Sequence, residues 1–416
     1  MTALTETNNA ALLERAERVM PGGVLASFTT PADVAFVVRE AHGSTIINED
    51  GRPYVDYVMG SGPLILGHRH PRVVEAIERQ LASGTHYYTL NKPAIELAET
   101  LVEAIPCAEL VKFTSTGAEA TFQALRIARA ATGRDNIMRF RAGYHGAHDY
   151  GVAGATAGIA AGVTDRVLVG EFNDIENTVA QIRENADQLA AVIVEPFQRN
   201  IAPAPGFLEA LREITRLTGV VLIFDEVVTG FRLGWGGAQG RYGVSPDLAT
   251  YGKIIGGGLP LGAVAGSRRL MDLASPGHKG GDAVYFSSTL NGNPLAAAAG
   301  LATLEVLREP GVYDALESAG ARLRIALADA VGDSPKPIFI TGVGAMVGLN
   351  VGSGDPLLAA THHSSDAAAR KKLETEMIRR GAFVNLGARL YVSTEHSDSD
   401  IQAAADALRG AVATLV

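Results

Sequence analysis

The chain contains a single cysteine, Cys107, among its 416 residues. One cysteine excludes an intrachain disulfide framework and is typical of proteins in a reducing cytoplasm. No run of about 18 apolar residues is present, and charged residues interrupt the first turns of the chain, where a secretory signal needs an apolar core. A basic excess is missing as well, because the net charge is −9. We therefore expect a soluble cytoplasmic protein without a membrane anchor or a nucleic-acid partner.

The rest of the composition is that of an ordinary globular protein, with 47% hydrophobic and 19% charged residues. The length is sufficient for two hydrophobic cores. A helix is expected near residues 8–20, followed by a hairpin-like stretch over 36–57 with its turn at Glu49-Asp50-Gly51. Strand patterns then alternate with helical patterns, which predicts a parallel sheet in an α/β protein.

The last quarter of the chain forms a separate pattern. A long apolar helix begins near Leu295 and ends before a break at Glu309-Pro310-Gly311. A smaller α/β region follows, with strands expected near 338–351 and 382–392. We expect this region and the first segment of the chain to form a small domain beside a larger one.

One carboxylate and one amine stand out in the middle of the chain. The apolar run from Val220 to Phe224 suits a strand buried on both faces of a parallel sheet, and Asp225 falls at its carboxyl end. Lys253 follows within Tyr251-Gly252-Lys253-Ile254-Ile255-Gly256-Gly257-Gly258, where glycines allow close approach to a ligand. Ligands of open α/β sheets bind at the carboxyl edge of the strands. Both residues are therefore candidates for one site.

The chemistry of the pair suits a heterocyclic aldehyde cofactor. Apolar neighbours would remove water from the Lys253 ammonium and lower its pKa, and a neutral amine is a nucleophile. Such an amine forms a Schiff base with pyridoxal phosphate, whose ring nitrogen needs an acidic partner such as Asp225. The ordinary interpretation of a single lysine is a solvated surface group. A nucleotide hydrolase is a remote alternative, because Gly252-Lys253 lacks the rest of a phosphate-binding G-x-x-x-x-G-K-[ST] loop.

Two longer motifs identify the family. Phe224-Asp225-Glu226-Val227-Val228-Thr229-Gly230-Phe231-Arg232, and Pro246-Asp247-Leu248 through Lys253 to Gly258, closely resemble the class III, fold-type I pyridoxal phosphate aminotransferases. The resemblance covers almost the entire chain, and the nearest branch is that of glutamate-1-semialdehyde 2,1-aminomutase. It implies that Lys253 forms the Schiff base, that Asp225 holds the pyridine nitrogen and that Val227 contacts the cofactor.

The resemblance also implies an architecture. The large domain should contain a mostly parallel seven-stranded sheet flanked by helices and should span residues 58–308. A smaller α/β domain should combine an N-terminal segment, 1–57, with a C-terminal part, 309–416. A homodimer is expected, in which Thr289 of the loop Ser287-Ser288-Thr289-Leu290-Asn291-Gly292-Asn293-Pro294 reaches the cofactor phosphate of the neighbouring subunit.

A phosphate site is expected where a strand ending at Thr114 meets a new helix. Free N–H groups at a helix start bind anions, and a hydroxyl such as that of Thr116 can add a hydrogen bond. The cofactor contacts predicted here are Ser115, Thr116, Gly117 and Ala118. An ordinary capped helix is the alternative for this pattern.

Three further cofactor contacts rest on the resemblance. Tyr144 would stack on the ring, His145 adjoins it, and Glu195 would lie near the phenolic oxygen of the cofactor. His145 and His148 have the spacing of metal ligands, but no third ligand or cysteine cluster accompanies them, so we predict no metal site. For Glu195 the alternative is a side chain that caps the following turn.

Departures from the family pattern bear on the reaction. The aminomutase binds its substrate carboxylate with a serine and an arginine after Pro-Gly-Gly-Val, whereas this chain has Leu25-Ala26-Ser27-Phe28-Thr29-Thr30 and no arginine. Ser61 replaces an aromatic before Gly62-Pro63, which widens the pocket, and the segment after Tyr144-His145-Gly146 is shorter than the gating loop of the mutase. A mutase must retain its released intermediate, so a short lid favours exchange of two substrates.

The sequence therefore predicts a transaminase that moves an amino group from an amino compound to a carbonyl acceptor, with the aminomutase as the alternative. Lys253, once freed by the amino donor, would move the proton at the substrate carbon. An α-, β- or ω-amine is compatible with this reading. Candidates for the substrate pocket are the wall residues Phe28, Ser61 and Tyr88 and the carboxylate-binding residues Arg199 and Arg389. For each arginine, a surface ion pair is the ordinary alternative.

Overall fold

A computed structural model describes residues 8–25 and 30–415 of the chain. Within these residues, fourteen strands form three sheets. In chain order they are β1 (Val38–His42), β2 (Thr45–Asn48), β3 (Pro53–Asp56), β4 (Leu110–Thr114), β5 (Asn136–Phe140), β6 (Val167–Gly170), β7 (Leu189–Val194), β8 (Val221–Asp225), β9 (Leu248–Gly252), β10 (Gly262–Gly266), β11 (Ile338–Val343), β12 (Met346–Val351), β13 (Ala382–Phe383) and β14 (Arg389–Tyr391).

Fifteen α-helices surround these sheets within the described residues. They are α1 (Asn9–Val19), α2 (Pro71–Ser83), α3 (Lys92–Ala104), α4 (Gly117–Thr132), α5 (Asp149–Val152), α6 (Ala161–Thr164), α7 (Ile175–Glu184), α8 (Phe207–Thr218), α9 (Gly237–Tyr242), α10 (Arg268–Met271), α11 (Pro294–Leu307), α12 (Val312–Val331), α13 (Ala359–His363), α14 (Ala367–Arg379) and α15 (Asp398–Val412). Short 3₁₀ helices cover Pro21–Gly23, Met59–Ser61, Lys253–Gly256 and Asp272–Ala274.

The central sheet has seven strands in the order β4-β10-β9-β8-β7-β5-β6. Only β10 runs antiparallel to its neighbours. The expectation of a mostly parallel seven-stranded sheet is therefore confirmed. Every residue of β7 and β8 is buried, as their continuous apolar sequences require for strands covered on both faces. Helix α4 packs on one face of the sheet and α8 contacts β8.

Two smaller sheets lie outside the central one. The hairpin-like stretch predicted over 36–57 is three strands, because β1, β2 and β3 form antiparallel pairs. Its predicted turn is confirmed: Gly51 has a φ of 83° and donates its N–H to the Asn48 carbonyl at 2.9 Å. The second sheet is β11-β12-β14, so the segment predicted as strand over 338–351 is two strands that reverse near Gly344.

The two ends of the chain meet in one sheet. Strand β13 pairs in parallel with β3, so that Ala382 lies opposite Val55. This pairing agrees with a small domain built from both chain ends, although the bounds at 57 and 308 remain a prediction. The expected break after the long helix is present, since α11 ends at Leu307 and α12 begins at Val312. No helix in the described part of the chain has the length and apolar character that a bilayer crossing requires.

Helix α11 is apolar on all sides because it is enclosed by other elements. It packs against α2, α3 and the 3₁₀ turn that starts at Lys253. The contact with that turn is backbone to backbone: a Cβ placed on Gly300 would lie 1.9 Å from the Ile255 carbonyl oxygen, and one on Gly257 would lie 2.4 Å from the Ala299 oxygen. The two glycines therefore set how closely the lysine turn and α11 approach.

Replacement of Gly300 by alanine tests this contact. We expect Gly300→Ala to lower the free energy of unfolding by about 3 kcal/mol, because the methyl group overlaps a backbone oxygen that cannot rotate away. The matched control is Gly240→Ala in α9, where a Cβ meets nothing within 4 Å. The free energy of unfolding of that variant should rise by up to about 1 kcal/mol, because alanine has a higher helix propensity than glycine. Urea denaturation of the two proteins measures both values, and equal stability would contradict the packing described.

Candidate active site

The register of two adjacent parallel strands brings the predicted acid and lysine to one sheet edge. Strand β8 pairs with β9 so that Ile223 lies opposite Leu248 and Asp225 opposite Thr250. Strand β9 ends at Gly252, and Lys253 follows in a left-handed conformation with a φ of 51°. Asp225 and Lys253 line the same cavity, whose volume is about 500 Å³. The predicted pairing of the two residues in one site is therefore present.

The Asp225 carboxylate is buried and held by three groups. Its Oδ1 accepts hydrogen bonds from the Val227 N–H and the Thr250 hydroxyl, both at 3.2 Å. Its Oδ2 lies 2.7 Å from Nδ1 of His145, whose ring is fully buried. His145, predicted as a cofactor contact, thus bonds directly to the acid. These contacts fix the carboxylate in one orientation at the base of the cavity.

The Lys253 amine donates a hydrogen bond to the Ser61 carbonyl oxygen at 2.7 Å. Burial is the main reason that its pKa is lowered from the ordinary value of 10.5. The nearby cations Arg389 and Arg232 act in the same direction, whereas Tyr391 and Asp225 oppose it. The environment therefore shifts the pKa of the amine in the direction that the sequence predicts, towards a larger fraction of the neutral, nucleophilic form.

Ser61 reaches the lysine through an unusual stretch of backbone. The φ angles of Met59, Gly60, Ser61 and Gly62 are 48°, 65°, 68° and 105°. Positive φ is uncommon for residues other than glycine, and two of these four residues have side chains. A residue with a Cβ does not fit well at position 62, because such an atom would lie 3.0 Å from the Tyr391 ring. The strained segment holds the Ser61 carbonyl against the amine.

The start of α4 has the features of an anion site. Gly117 and Ala118 line the cavity, and their N–H groups form no hydrogen bond to a described residue. The Thr116 hydroxyl caps the helix by accepting from Glu119 N–H at 3.1 Å. The Ser115 N–H is taken by the Glu119 carboxylate at 2.8 Å. The alternative of a capped helix is therefore present, and the two N–H groups without a partner remain compatible with the predicted phosphate site.

Glu195 connects two other walls of the cavity. Its Oε2 accepts a hydrogen bond from the Tyr144 N–H at 3.0 Å, and its Oε1 lies 3.4 Å from Nη2 of Arg389. A surface ion pair was the ordinary alternative for Arg389. The structure contradicts that alternative, because the Arg389 side chain is only 5% exposed. The Tyr144 side chain is half exposed at the cavity wall. A buried cation thus lines the same cavity as Asp225.

The other predicted site residues divide into three groups. Ser61, Val227 and Arg199 line the Lys253 cavity. Tyr88 and Thr289 do not, and they line a second cavity of about 490 Å³ on the same chain. The Ser115 hydroxyl lies 3.0 Å from that of Ser288, beside Thr289. Phe28 lies outside the described residues.

Several residues of the cavity wall were missed in the sequence. The polar ones and the aromatic one are Thr121, Asn200, Asn385 and Tyr391. For Tyr391 a signal was available, because residues two apart on a strand share a face and Arg389 was already a candidate. The asparagines lie in loops far apart in the chain, and no local pattern marks them.

Both ring nitrogens of His148 have hydrogen-bond partners. Its Nε2 is bonded to the Thr121 hydroxyl at 3.1 Å, and its Nδ1 accepts from the Gly151 N–H at 3.2 Å. Burial lowers the pKa of His148 to about 4, so the ring is neutral at physiological pH. Within residues 8–25 and 30–415, no group of three or more histidine, cysteine or acidic side chains is arranged to bind a metal ion.

Comparison with known proteins agrees with this geometry. The sequence pattern of the family Aminotransferase class-III matches residues 28–366. A protein of Desulforudis audaxviator described as glutamate-1-semialdehyde 2,1-aminomutase is 41% identical, with 94% of each chain covered. A solved omega-transaminase of Sphaerobacter thermophilus is 33% identical, with a TM-score of 0.91 and coverage of 98% of this chain and 97% of the other.

A further solved structure bears on the cofactor. It is a transaminase with pyridoxal phosphate bound, is 32% identical and has a TM-score of 0.89, and 98% of this chain and 97% of the other are covered. The free N–H groups of α4 and the acid and amine that line the same cavity fit that cofactor. The chain therefore belongs to the class III aminotransferases, with the fold-type I architecture and the pyridoxal phosphate dependence of that family.

Proposed function

We propose that the protein is a transaminase that moves an amino group from a carboxylate-bearing amino compound to a carbonyl acceptor. The observation that carries the proposal is the position of Arg389. This buried guanidinium enters the cavity from β14, whereas the segment 24–30, which carries the substrate arginine in the aminomutase branch, has none. Arg389 therefore offers a carboxylate-binding group within the cavity that also contains Lys253.

The residues of the cavity have separate tasks in this proposal. When bound, pyridoxal phosphate supplies an aldehyde for a Schiff base and a ring that accepts the electrons released at the substrate carbon. Asp225, fixed by His145 and Thr250, keeps the ring nitrogen protonated. Gly117 and Ala118 hold the phosphate through their N–H groups. The Lys253 amine removes and returns the proton at the substrate carbon.

Other parts of the cavity orient the substrate and the ring. Tyr144 would stack on the cofactor ring, Val227 would contact the cofactor, and Glu195 would lie near its phenolic oxygen. Arg389 is freed for the substrate when its 3.4 Å contact with Glu195 is exchanged for a carboxylate. The small Ser61 side chain leaves room for the substrate beside the lysine.

A homodimer is part of the same proposal. Thr289 and Tyr88 lie outside the cavity of their own chain, beside exposed apolar side chains such as Leu90, which is 83% exposed. Large exposed apolar patches mark protein interfaces. In the dimer Thr289 would complete the phosphate site of the neighbouring subunit, and Tyr88 would contribute to its pocket wall.

Loss of the lysine should abolish covalent cofactor attachment. Purified enzyme should be yellow, and borohydride reduction should fix the cofactor to Lys253, as mass spectrometry of the peptide would show. Lys253→Ala should bind no cofactor covalently, because no other amine lines the cavity in the described residues. The control Lys371→Ala, at an exposed position of α14, should behave as wild type. A colourless wild-type protein that does not respond to added cofactor would refute the assignment.

Arg389 should affect both substrate choice and the pH profile. At pH values above the acid limb, Arg389→Met should lower kcat/KM for carboxylate-bearing donors about 10- to 100-fold, the loss expected for one charge-assisted hydrogen-bonded pair, and leave kcat/KM for simple amines unaffected. The guanidinium also lowers the pKa of Lys253, so its loss raises that pKa. Because the amine acts in its neutral form, the acid limb of the rate profile should move to higher pH. Arg389→Lys should keep the limb in place, and an unchanged limb in Arg389→Met would contradict this role.

The experiment that tests the proposed reaction is a single-turnover spectrum. Enzyme would be mixed with α-, β- and ω-amino compounds, with glutamate-1-semialdehyde tested in parallel. We expect release of a free carbonyl product and accumulation of the amine form of the cofactor with at least one donor. Failure of every donor would contradict the transaminase.

An aminomutase is the second candidate, because the relative that is 41% identical is described by that name. It predicts efficient conversion of glutamate-1-semialdehyde to 5-aminolevulinate without a second substrate. In that case Arg389 would replace the arginine that residues 24–30 lack. No conversion of the semialdehyde, together with turnover of an amino donor, would exclude it.

A further inference from the structure

Arg199 occupies a turn position that favours glycine. The Ile201 N–H donates to the Gln198 carbonyl at 2.8 Å, so Arg199 and Asn200 are the two central residues of a tight turn. The φ of Arg199 is 55°, whereas that of Asn200 is not positive. This combination is the type II′ pattern, in which glycine is preferred at the first central position. A residue with a side chain is strained there.

The turn is held firmly on both sides of Arg199. The Gln198 side chain donates to the Arg141 carbonyl at 2.8 Å and is fully buried. Asn200 is 6% exposed and packs on Gly348, where a Cβ would lie 2.6 Å from the Asn200 side chain. Gly348 is paired with Arg389 across β12 and β14. The turn that carries Arg199 therefore packs on β12, the strand that pairs with β14 and its Arg389.

The charges of the cavity wall leave Arg199 without a counter-ion. The lining cations are Arg199, Arg389 and Lys253, and the lining acids are Glu195 and Asp225. Glu195 contacts Arg389, and Asp225 contacts His145. Arg199 forms no ion pair or hydrogen bond with any residue in the described ranges and is exposed to the cavity mouth.

Strain of this kind persists in sites where the side chain contributes to function. A guanidinium is suited to bind a carboxylate through two parallel hydrogen bonds. Given the proposed transaminase, in which Arg389 takes the carboxylate nearer the reacting carbon, we propose that Arg199 binds a second carboxylate at the far end of the substrate. The substrate class is then amino dicarboxylates and the corresponding oxo dicarboxylates.

Inert acids test this site without depending on turnover. Glutarate and valerate have chains of the same length, but only glutarate carries a second carboxylate. Isothermal titration calorimetry of the holoenzyme with each acid should show that glutarate binds about 10- to 100-fold more tightly than valerate. This is the ratio expected for one charge-assisted contact. Equal affinities in the wild type would overturn the proposal.

Three substitutions test whether Arg199 causes the preference for glutarate. Arg199→Gln keeps the strained backbone and removes the charge, so glutarate binding should fall to the level of valerate while valerate binding stays the same. Arg199→Lys should keep part of the preference. The control Arg216→Gln, on the exposed side of α8, should match the wild type. If Arg199→Gln lowered the affinity for both acids equally, Arg199 and Arg389 would bind the same carboxylate and the proposal would be wrong.

Arg199→Gly adds a readout that separates strain from binding. Glycine adopts positive φ without cost, so this variant should lose the glutarate preference and yet raise Tm by about 1–3 °C. With glutamate and its uncharged isostere glutamine as donors, KM should rise for glutamate alone and kcat should be retained. Preference for glutarate without turnover of any amino donor would contradict the transaminase and leave this site intact. Turnover of an amino donor without a preference for glutarate would support the transaminase and contradict the second carboxylate site at Arg199.

Discussion

The register between β8 and β9 is the constraint on which the site depends. Because Asp225 lies opposite Thr250, the acid ends one strand just where the next strand runs into Lys253. Parallel strands present their carboxyl ends at one edge, so no long loop is needed to bring acid and amine together. A slip of one residue would turn Asp225 away from the cavity. The Thr250 hydroxyl, bonded to the acid at 3.2 Å, secures the same register.

The rest of the molecule holds this edge from three directions. Helix α11 presses on the lysine turn at Gly300, the strained Ser61 segment supplies a carbonyl to the amine, and β14 brings Arg389 over the cavity. Two of these supports involve residues other than glycine that have a positive φ, namely Lys253 and Ser61. Such conformations cost stability and are maintained only where packing leaves no alternative. Two of the residues in this conformation, Ser61 and Lys253, are thus in direct contact with each other.

Much of the central sheet and the acid–lysine pair could be predicted from the sequence because their signals are local. A five-residue apolar run, a glycine-rich turn and the motifs around them suffice for β8 and Lys253. The contact between Glu195 and Arg389 could not be predicted, since it joins residues 194 positions apart through the packing of β14. The same holds for His145 beneath Asp225 and for the strain at Arg199, which depends on a turn that only the fold defines.

The central claim is that Asp225 keeps the cofactor ring protonated, and ¹⁵N NMR of holoenzyme carrying ring-labelled pyridoxal phosphate tests it most directly. We expect the shift of a protonated ring nitrogen throughout the range from pH 6 to 9 in the wild type, and that of an unprotonated ring in Asp225→Asn. An unprotonated ring in the wild type, or the same shift in both proteins, would contradict the account.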